Sequence, residues 1–357
     1  MNLRLRHAAP LLLLPALLAF QPRGTTLSFE VAEGATKTKT FTNSVSMTLD
    51  DMSMLMNGQE SPMQPQIDMS IDSELELVVT DEYVAMGDGA PRKLARTYDT
   101  ISMTRSMEME MDIMGQVQSN SDSSDAESEL EGETVHFTAD DEGEYAPSFP
   151  GDEGDEKLLE GLTEDMDFRA LLPEGEVEEG AEWKVSAAGL KNIMVPGGDL
   201  KLASSSEGAE GGMGMGDAEI GDFQDWFTDD IEGEVVATFS GMKETEDGVS
   251  VAVIELTIEL ANAVDLTEKV RESMADAELP EGAGEMEING MDVELELEGT
   301  AVLLWNPSAG CAHSFEMDGE LMLITDTAMS ISAQGMDLEI EQTMEFAGSM
   351  GYSASFE

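Results

Sequence analysis

The sequence predicts an all-β protein: long antiparallel strands in a curved sheet, a half-barrel or a two-sheet arrangement, with one or two short helices. Three observations carry this expectation. Polar and apolar residues alternate over long stretches in both halves of the chain, the period of a strand with one wet and one dry face. Gly, Asp and Pro punctuate the stretches, as at Met86-Gly87-Asp88-Gly89, where a tight turn needs them. Helical periodicity is confined to short segments.

Taken in order, residues 1–20, MNLRLRHAAPLLLLPALLAF, set Arg4 and Arg6 ahead of a 13-residue apolar run from Ala8 to Phe20. This is the length and polarity of a secretory signal peptide and is short for a membrane span. It predicts export to the periplasm, the cell surface or the medium. An N-terminal β-rich half follows over 27–168, with strands expected in TLSFEV, KTKTFTNSVSMTL, QIDMSIDSELELVV and RKLARTYDTISMTRSMEMEMDIM. In the last of these, Met103, Met107, Met109 and Met111 share one face, and Glu108 and Glu110 fall on the other.

Residues 119–132, SNSDSSDAESELEG, have little to bury and read as a solvated acidic loop. A short strand is expected from Glu133 to Ala139, and Leu158, Leu159 and Leu162 suggest a short helix over 157–168. The segment 169–203 contains LPEGEVEEGAEW and reads as a hinge between the halves. Gly and Ser make 204–221 a linker or loop. The C-terminal β-rich half, 222–357, opens with DFQDWFTDDI, an amphipathic turn in which Phe223, Trp226 and Phe227 would dock on the sheet. Five strand or hairpin candidates follow, interrupted by a helix over 266–277 with Thr267 as N-cap and Pro280 beyond its end. GMDVELE at 290–296 recurs as GMDLEIE at 335–341, a sign of two similar hairpins.

Composition narrows the function classes. There are 76 Asp and Glu against 17 Lys and Arg, a formal charge of −59. Such a field repels nucleic acid and anionic membrane surfaces, and no cluster of basic and aromatic residues opposes it locally. The acid keeps strand faces solvated and allows weak association of divalent cations. Cys311 is the sole cysteine, so no internal disulfide forms.

The segment Leu172, Pro173, Val177, Gly180 and Trp183 resembles an LP-x(3)-V-x(2)-G-x(2)-W stretch of uncharacterised exported bacterial β-rich proteins. The stretch 299–323 is similar to their C-terminal strand pair. The resemblance implies a large curved antiparallel sheet or two packed sheets. It transfers no catalytic residue.

Three kinds of chemistry compete for the remaining signals. The 27 Met include Met52, Met54 and Met56 and the Met107 to Met111 group, whose thioethers suit Cu(I). Met also fills irregular apolar surfaces, and its period-two placement favours an apolar face that accepts an apolar ligand or a partner. Cys311 and His313 stand two apart, which on a regular strand shares a face and offers a nucleophile and base. The acidic stretches 140–144 and 151–156 lack the spacing of a calcium loop, and no cofactor motif occurs. The expected function is therefore an exported, acidic, non-enzymatic binding or structural protein holding an apolar ligand or partner on a Met-rich sheet face. The alternatives are a copper- or calcium-handling protein and a carboxylate- or Cys/His-based hydrolase.

Overall fold

The computed structural model describes residues 24–60, 66–113, 116–152, 154–204, 231–276, 285–333 and 336–357. In chain order the strands are β1 (Thr25–Thr26), β2 (Thr36–Met56), β3 (Gln59–Glu60), β4 (Gln66–Met86), β5 (Pro91–Ile113), β6 (Gln116–Ser128), β7 (Thr134–Ala139) and β8 (Tyr145–Ser148). After the central segment come β9 (Glu176–Val177), β10 (Glu182–Val185), helix α1 (Ala187–Met194) and β11 (Leu202–Ser204). The remainder is β12 (Glu232–Glu244), β13 (Ser250–Asp265), helix α2 (Thr267–Asp276), β14 (Glu285–Asn306), β15 (Cys311–Ala333) and β16 (Met336–Phe356). The 21 to 23 residues of β2, β4, β5, β15 and β16 give strands about 70 Å long.

Fourteen strands form one antiparallel sheet in the order β10-β12-β13-β14-β15-β16-β2-β4-β5-β6-β11, with β3, β7 and β8 alongside, and it does not close into a barrel. Its seam is the ladder between the last long strand and the first, from Phe356 opposite Lys39 to Ile340 opposite Met56. The two β-rich halves are thus one sheet.

A two-residue period cannot by itself keep one face dry over such lengths if the strands also coil. Bulges solve this. Phe346 lies opposite Leu49 and Glu345 opposite Asp51, so Asp50 is the inserted residue. The buried series Lys39, Phe41, Asn43, Val45, Met47 then continues as Met52, Met54, Met56 on the same face. Asp99 does the same for β5, where Val78 faces Thr100 and Val79 faces Tyr98. The inward series passes from Leu94, Arg96, Tyr98 to Ile101, Met103, Arg105, Met107, Met109 and Met111. Each slip re-aims half a strand.

Glycines mark the boundary between two halves of this inner face. Gly299 and Gly319 are directly opposite, and Gly348 lies one rung on, opposite Met47. A Cβ on Gly319 would sit 2.7 Å from Leu297 Cδ1, and one on Gly348 would sit 2.2 Å from Ser46 O. The Leu297 side chain and the Ser46 carbonyl occupy that space, so only Gly fits there. On one side of this row the inner face is sealed by the central segment. Leu171, Leu190, Ile193, Met194 and Leu200 are buried in the core. Phe168 meets Phe41, Phe315 and Phe356 with ring centroids 6.2, 4.9 and 5.3 Å away. On the other side the inner residues of β14, such as Met291, Val293, Leu295 and Leu297, are also buried, whereas those of β5 from Met103 to Met111 are half-buried.

Several sequence expectations need correction. The stretch 119–132 is not a loop: its first ten residues belong to β6, paired to β5 from Ser102 opposite Glu127 to Ile113 opposite Gln116. The strand forms because β5 offers an unpaired edge, a cause that composition does not register. Helical structure near 157–168 is limited to a single 3-10 turn, Glu156–Leu159. TLSFEV is strand only over its first residue, although Leu27, Phe29 and Val31 are buried. Thr267 does not cap α2; its hydroxyl accepts the Met291 N–H at 2.8 Å, and Asp265 Oδ1 accepts the Thr267 N–H at 2.9 Å. Helix α1, begun by a Ser186 side-chain cap on Gly189 N, was legible only as irregular chain. The signal segment, most of 204–221, and Phe223, Trp226 and Phe227 lie outside the described residues.

Gly348→Ala is expected to lower stability by about 1–3 kcal/mol, because the new methyl meets backbone on the seam strand. Gly290→Ala, whose Cβ would make only an ordinary contact 3.9 Å from Ala328 Cβ, serves as the control. Urea unfolding of both variants checks this; equal midpoints would remove the seam from the account.

Candidate functional site

The most perturbed titratable groups lie under the central segment. Lys39 on β2, Asp81 on β4 and Arg96 on β5 are each at 0% exposure, and Asp167, on the stretch leading into the central segment, is at 2%. Arg96 Nε and Nη2 donate to the two oxygens of Asp81, both at 2.8 Å, a fork-to-fork pair. Lys39 Nζ donates to Asp81 Oδ2 at 2.7 Å and meets Asp167 Oδ1 at 2.6 Å. Tyr83 donates its hydroxyl to the same Asp167 oxygen at 2.6 Å. Arg96 also donates to the carbonyls of Thr163 and Glu164, at 3.0 and 2.8 Å. Arg169, which pairs with Glu164 and Asp165, covers the outer rim and stacks over Phe29 at 5.5 Å.

Two cations and two carboxylates thus cancel in a site without water access, and the segment 163–169 is clasped to three strands. Burial alone would raise the Asp81 carboxyl, but Arg96 and Lys39 outweigh it and hold it at about 2. Burial raises Glu164 to about 7, against the pull of Arg169. Perturbed groups often mark catalysis. These are sealed on every side, so the cluster is a structural clasp. Its sequence signal was available: Lys39, Asp81 and Arg96 each occupy the inward register of an otherwise apolar strand.

The LP-to-Trp segment closes on itself beside the clasp. Val177 pairs with Thr25, Gly180 turns at φ +85°, and Trp183 lies opposite Ala237 in the β10–β12 ladder. The Trp183 indole donates to Leu171 O at 3.0 Å. Pro173 is buried, and Leu172 and Trp183 are half-buried.

The second candidate is the far half of the inner face. Met103, Met107, Met109 and Met111 are on one face and half-buried; Glu108 and Glu110 are on the other and exposed. Met69 lies directly opposite Met109, Ile71 opposite Met107, and Ile67 opposite Met111. Across the seam Met52 lies opposite Met344, and its Sδ accepts from the Gln342 amide at 3.7 Å. Met54, Met56, Ile340 and Leu338 continue the surface, all half-buried. The opposite face is polar, with an open groove of 480 Å³ bordered by Thr48, Asp68, Ser70, Glu108, Glu110 and Ser121. An apolar strip with few hydrogen-bonding groups can bind an apolar surface.

Cys311 and His313 do not share a regular strand face. Leu304 faces Ser314 and Trp305 faces Ala312, so His313 is the inserted residue of a bulge. Cys311 is buried, and burial pushes its thiol up, away from the thiolate a nucleophile needs. Among the described residues no group of three or more His, Cys, Asp or Glu side chains is placed to hold a metal ion. His136, on β7, pairs with Ala95 and Ser148 in register.

Asp81→Asn is expected to cost about 3–5 kcal/mol, since Lys39 and Arg96 stay buried against one charge fewer. The lowered Asp81 carboxyl gives stability that is present above pH 3.8 and lost as pH falls toward 2. Glu164 has the opposite sign. Its raised carboxyl favours the folded state below about 4.5, and about 3 kcal/mol of that is lost as pH rises through 7. Glu164→Gln should therefore flatten the fall in stability between pH 5 and 7; an unchanged slope in chemical denaturation would refute the assignment.

No protein-family model matches the chain, and no curated protein matches it. Among solved structures it has a similarity to the outer membrane protease OmpT from Escherichia coli, at 7% identity over 91% of this chain and 99% of that one. The TM-score is 0.14, at which the likeness carries no argument.

Proposed function

We propose that this is an exported, non-enzymatic binding protein whose sheet holds an apolar ligand on its methionine-lined face. One observation carries the reading. Beyond the glycine row the inner residues of β14 are buried, whereas the Met side chains of β2, β4 and β5, at Met52 to Met56, Met69 and Met103 to Met111, are only half-buried. A face built for packing alone would be covered. Met suits a ligand surface because its unbranched thioether side chain adapts to varied shapes. The signal-like residues 1–20 support export. The acidic outer face then keeps a long, open sheet dispersed and limits edge-to-edge association.

Native mass spectrometry of the gently purified mature protein tests this. The expected result is an added lipid-sized mass, removed by organic extraction and reduced at least fivefold in occupancy by Met69→Ser with Met109→Ser. A bare polypeptide that takes up no neutral apolar dye would overturn the proposal. Mass lost on chelation instead would move these thioethers to soft-metal binding.

A further inference from the structure

Along β5 from Met103 to Met111 the inward series is apolar with one cationic interruption. Arg105 follows Met103 and precedes Met107 in the inward series of β5, half-buried. The chain has only 17 Lys and Arg among 76 acids, and its buried cations are spent on carboxylates: Lys39, Arg96 and Arg169 are all in ion pairs. Arg105 is different. Among the described residues no carboxylate stands within 4.0 Å of its guanidinium, and no described hydrogen bond engages it. Its rung consists of Ser73 on β4 and Ser124 on β6, both half-buried, with Val45 beyond.

The acids near it are otherwise placed. Asp122, opposite Met107 and so on the same face of the edge strand β6, is exposed and accepts the Ser123 N–H at 2.9 Å. A groove of 430 Å³ reaches the Arg105 rung, and its walls include Asp72, Glu74 and Asp125. Alternation puts those three on the outer face. An Arg partly withdrawn from water without an anion is costly, and in a chain this acidic an internal partner would have been easy to supply.

Resting on the binding reading above, we infer that the ligand is a single-chain amphiphile with a carboxylate head: the head pairs with Arg105, and the tail lies along the methionines. The guanidinium fork matches a carboxylate in two-point geometry, and the Ser73 and Ser124 hydroxyls stand about 5 Å to either side as further donors. From Arg105 to Met111 the strand runs about 20 Å, past Met107–Ile71, Met109–Met69 and Met111–Ile67. That length suits a long alkyl chain laid parallel to the strand. The net charge opposes an anion, but salt at about 0.1 M screens it beyond roughly 10 Å, and contact with Arg105 is closer than that.

Calorimetric titration of the full mature chain with hexadecanoate and with hexadecanol, in wild type, Arg105→Gln and Met109→Ser, tests the assignment. The acid is expected to bind wild type about tenfold or more tighter than the alcohol. Arg105→Gln should bring the acid down to the alcohol's affinity and leave the alcohol unchanged, and Met109→Ser should weaken both. Equal binding of acid and alcohol in wild type, or an acid affinity untouched by Arg105→Gln, would overturn the head assignment and leave the apolar face standing. Failure of both ligands to bind would remove both readings. Circular dichroism of each variant establishes that the sheet is intact.

Discussion

The structure depends on the buried ion pairs among Lys39, Asp81, Arg96 and Asp167. A sheet of long strands has far more inner surface than its own strands can cover, and something must be laid across it to exclude water. The central segment does this, and its chain direction is set by where the clasp grips it: through the Asp167 side chain and through the carbonyls of Thr163 and Glu164. Buried charges are a poor source of net stability, because desolvation offsets most of their attraction. They are specific, however. A segment carrying Asp167 has one place on this face where its carboxylate meets Lys39 and Tyr83 together. Phe168 then reaches the aromatic side chains of three strands with its backbone at φ +59°, an unusual conformation that the surrounding rings hold in place.

The clasp covers only the near half, and this asymmetry organises everything else. Beyond the Gly299, Gly319 and Gly348 row the same strands run on; helix α2 packs on β14 with Leu266 and Val270 buried, and the inner residues of β5 from Met103 to Met111 are half-buried. Their inner residues change in kind as well as in burial. Phe and Tyr are concentrated in the sealed core, whereas Met recurs at the half-buried inner positions of β2 and β5. Rigid side chains suit a fixed partner and flexible thioethers suit a variable one. The two halves of one sheet thus differ in side-chain character under one hydrogen-bonding pattern.

The outer face answers a different constraint. Glu234, Glu259, Glu298 and Glu320 lie opposite one another across four strands, so like charges are repeated at the inter-strand spacing. Such rows weaken the sheet. Near one edge, β6 is paired to β11 only over Ala126 to Ser128, and the rest of it, Ser, Asp and Gln with little apolar content, is a poor template for another chain.

Much of this was legible in the residues. Alternation identified the long strands and the shared face of Met103, Met107, Met109 and Met111, because side-chain direction in a strand follows directly from sequence parity. The same parity held the signal for the clasp, in Lys39, Asp81 and Arg96 at inward positions, and for Arg105 among methionines. What it could not supply was the pairing. That SNSDSSDAES forms a strand depends on the free edge of β5, and that Cys311 and His313 fall out of phase depends on an inserted residue opposite β14. Likewise, how the near half of the inner face is covered was decided by contacts between residues far apart in the chain, such as Arg96 with Glu164, 68 positions apart, and Lys39 with Asp167. The sequence by itself determined which side of each strand is dry. Only the tertiary structure decided which stretch of that dry side stays open, because local alternation specifies direction and coverage is a property of long-range contact.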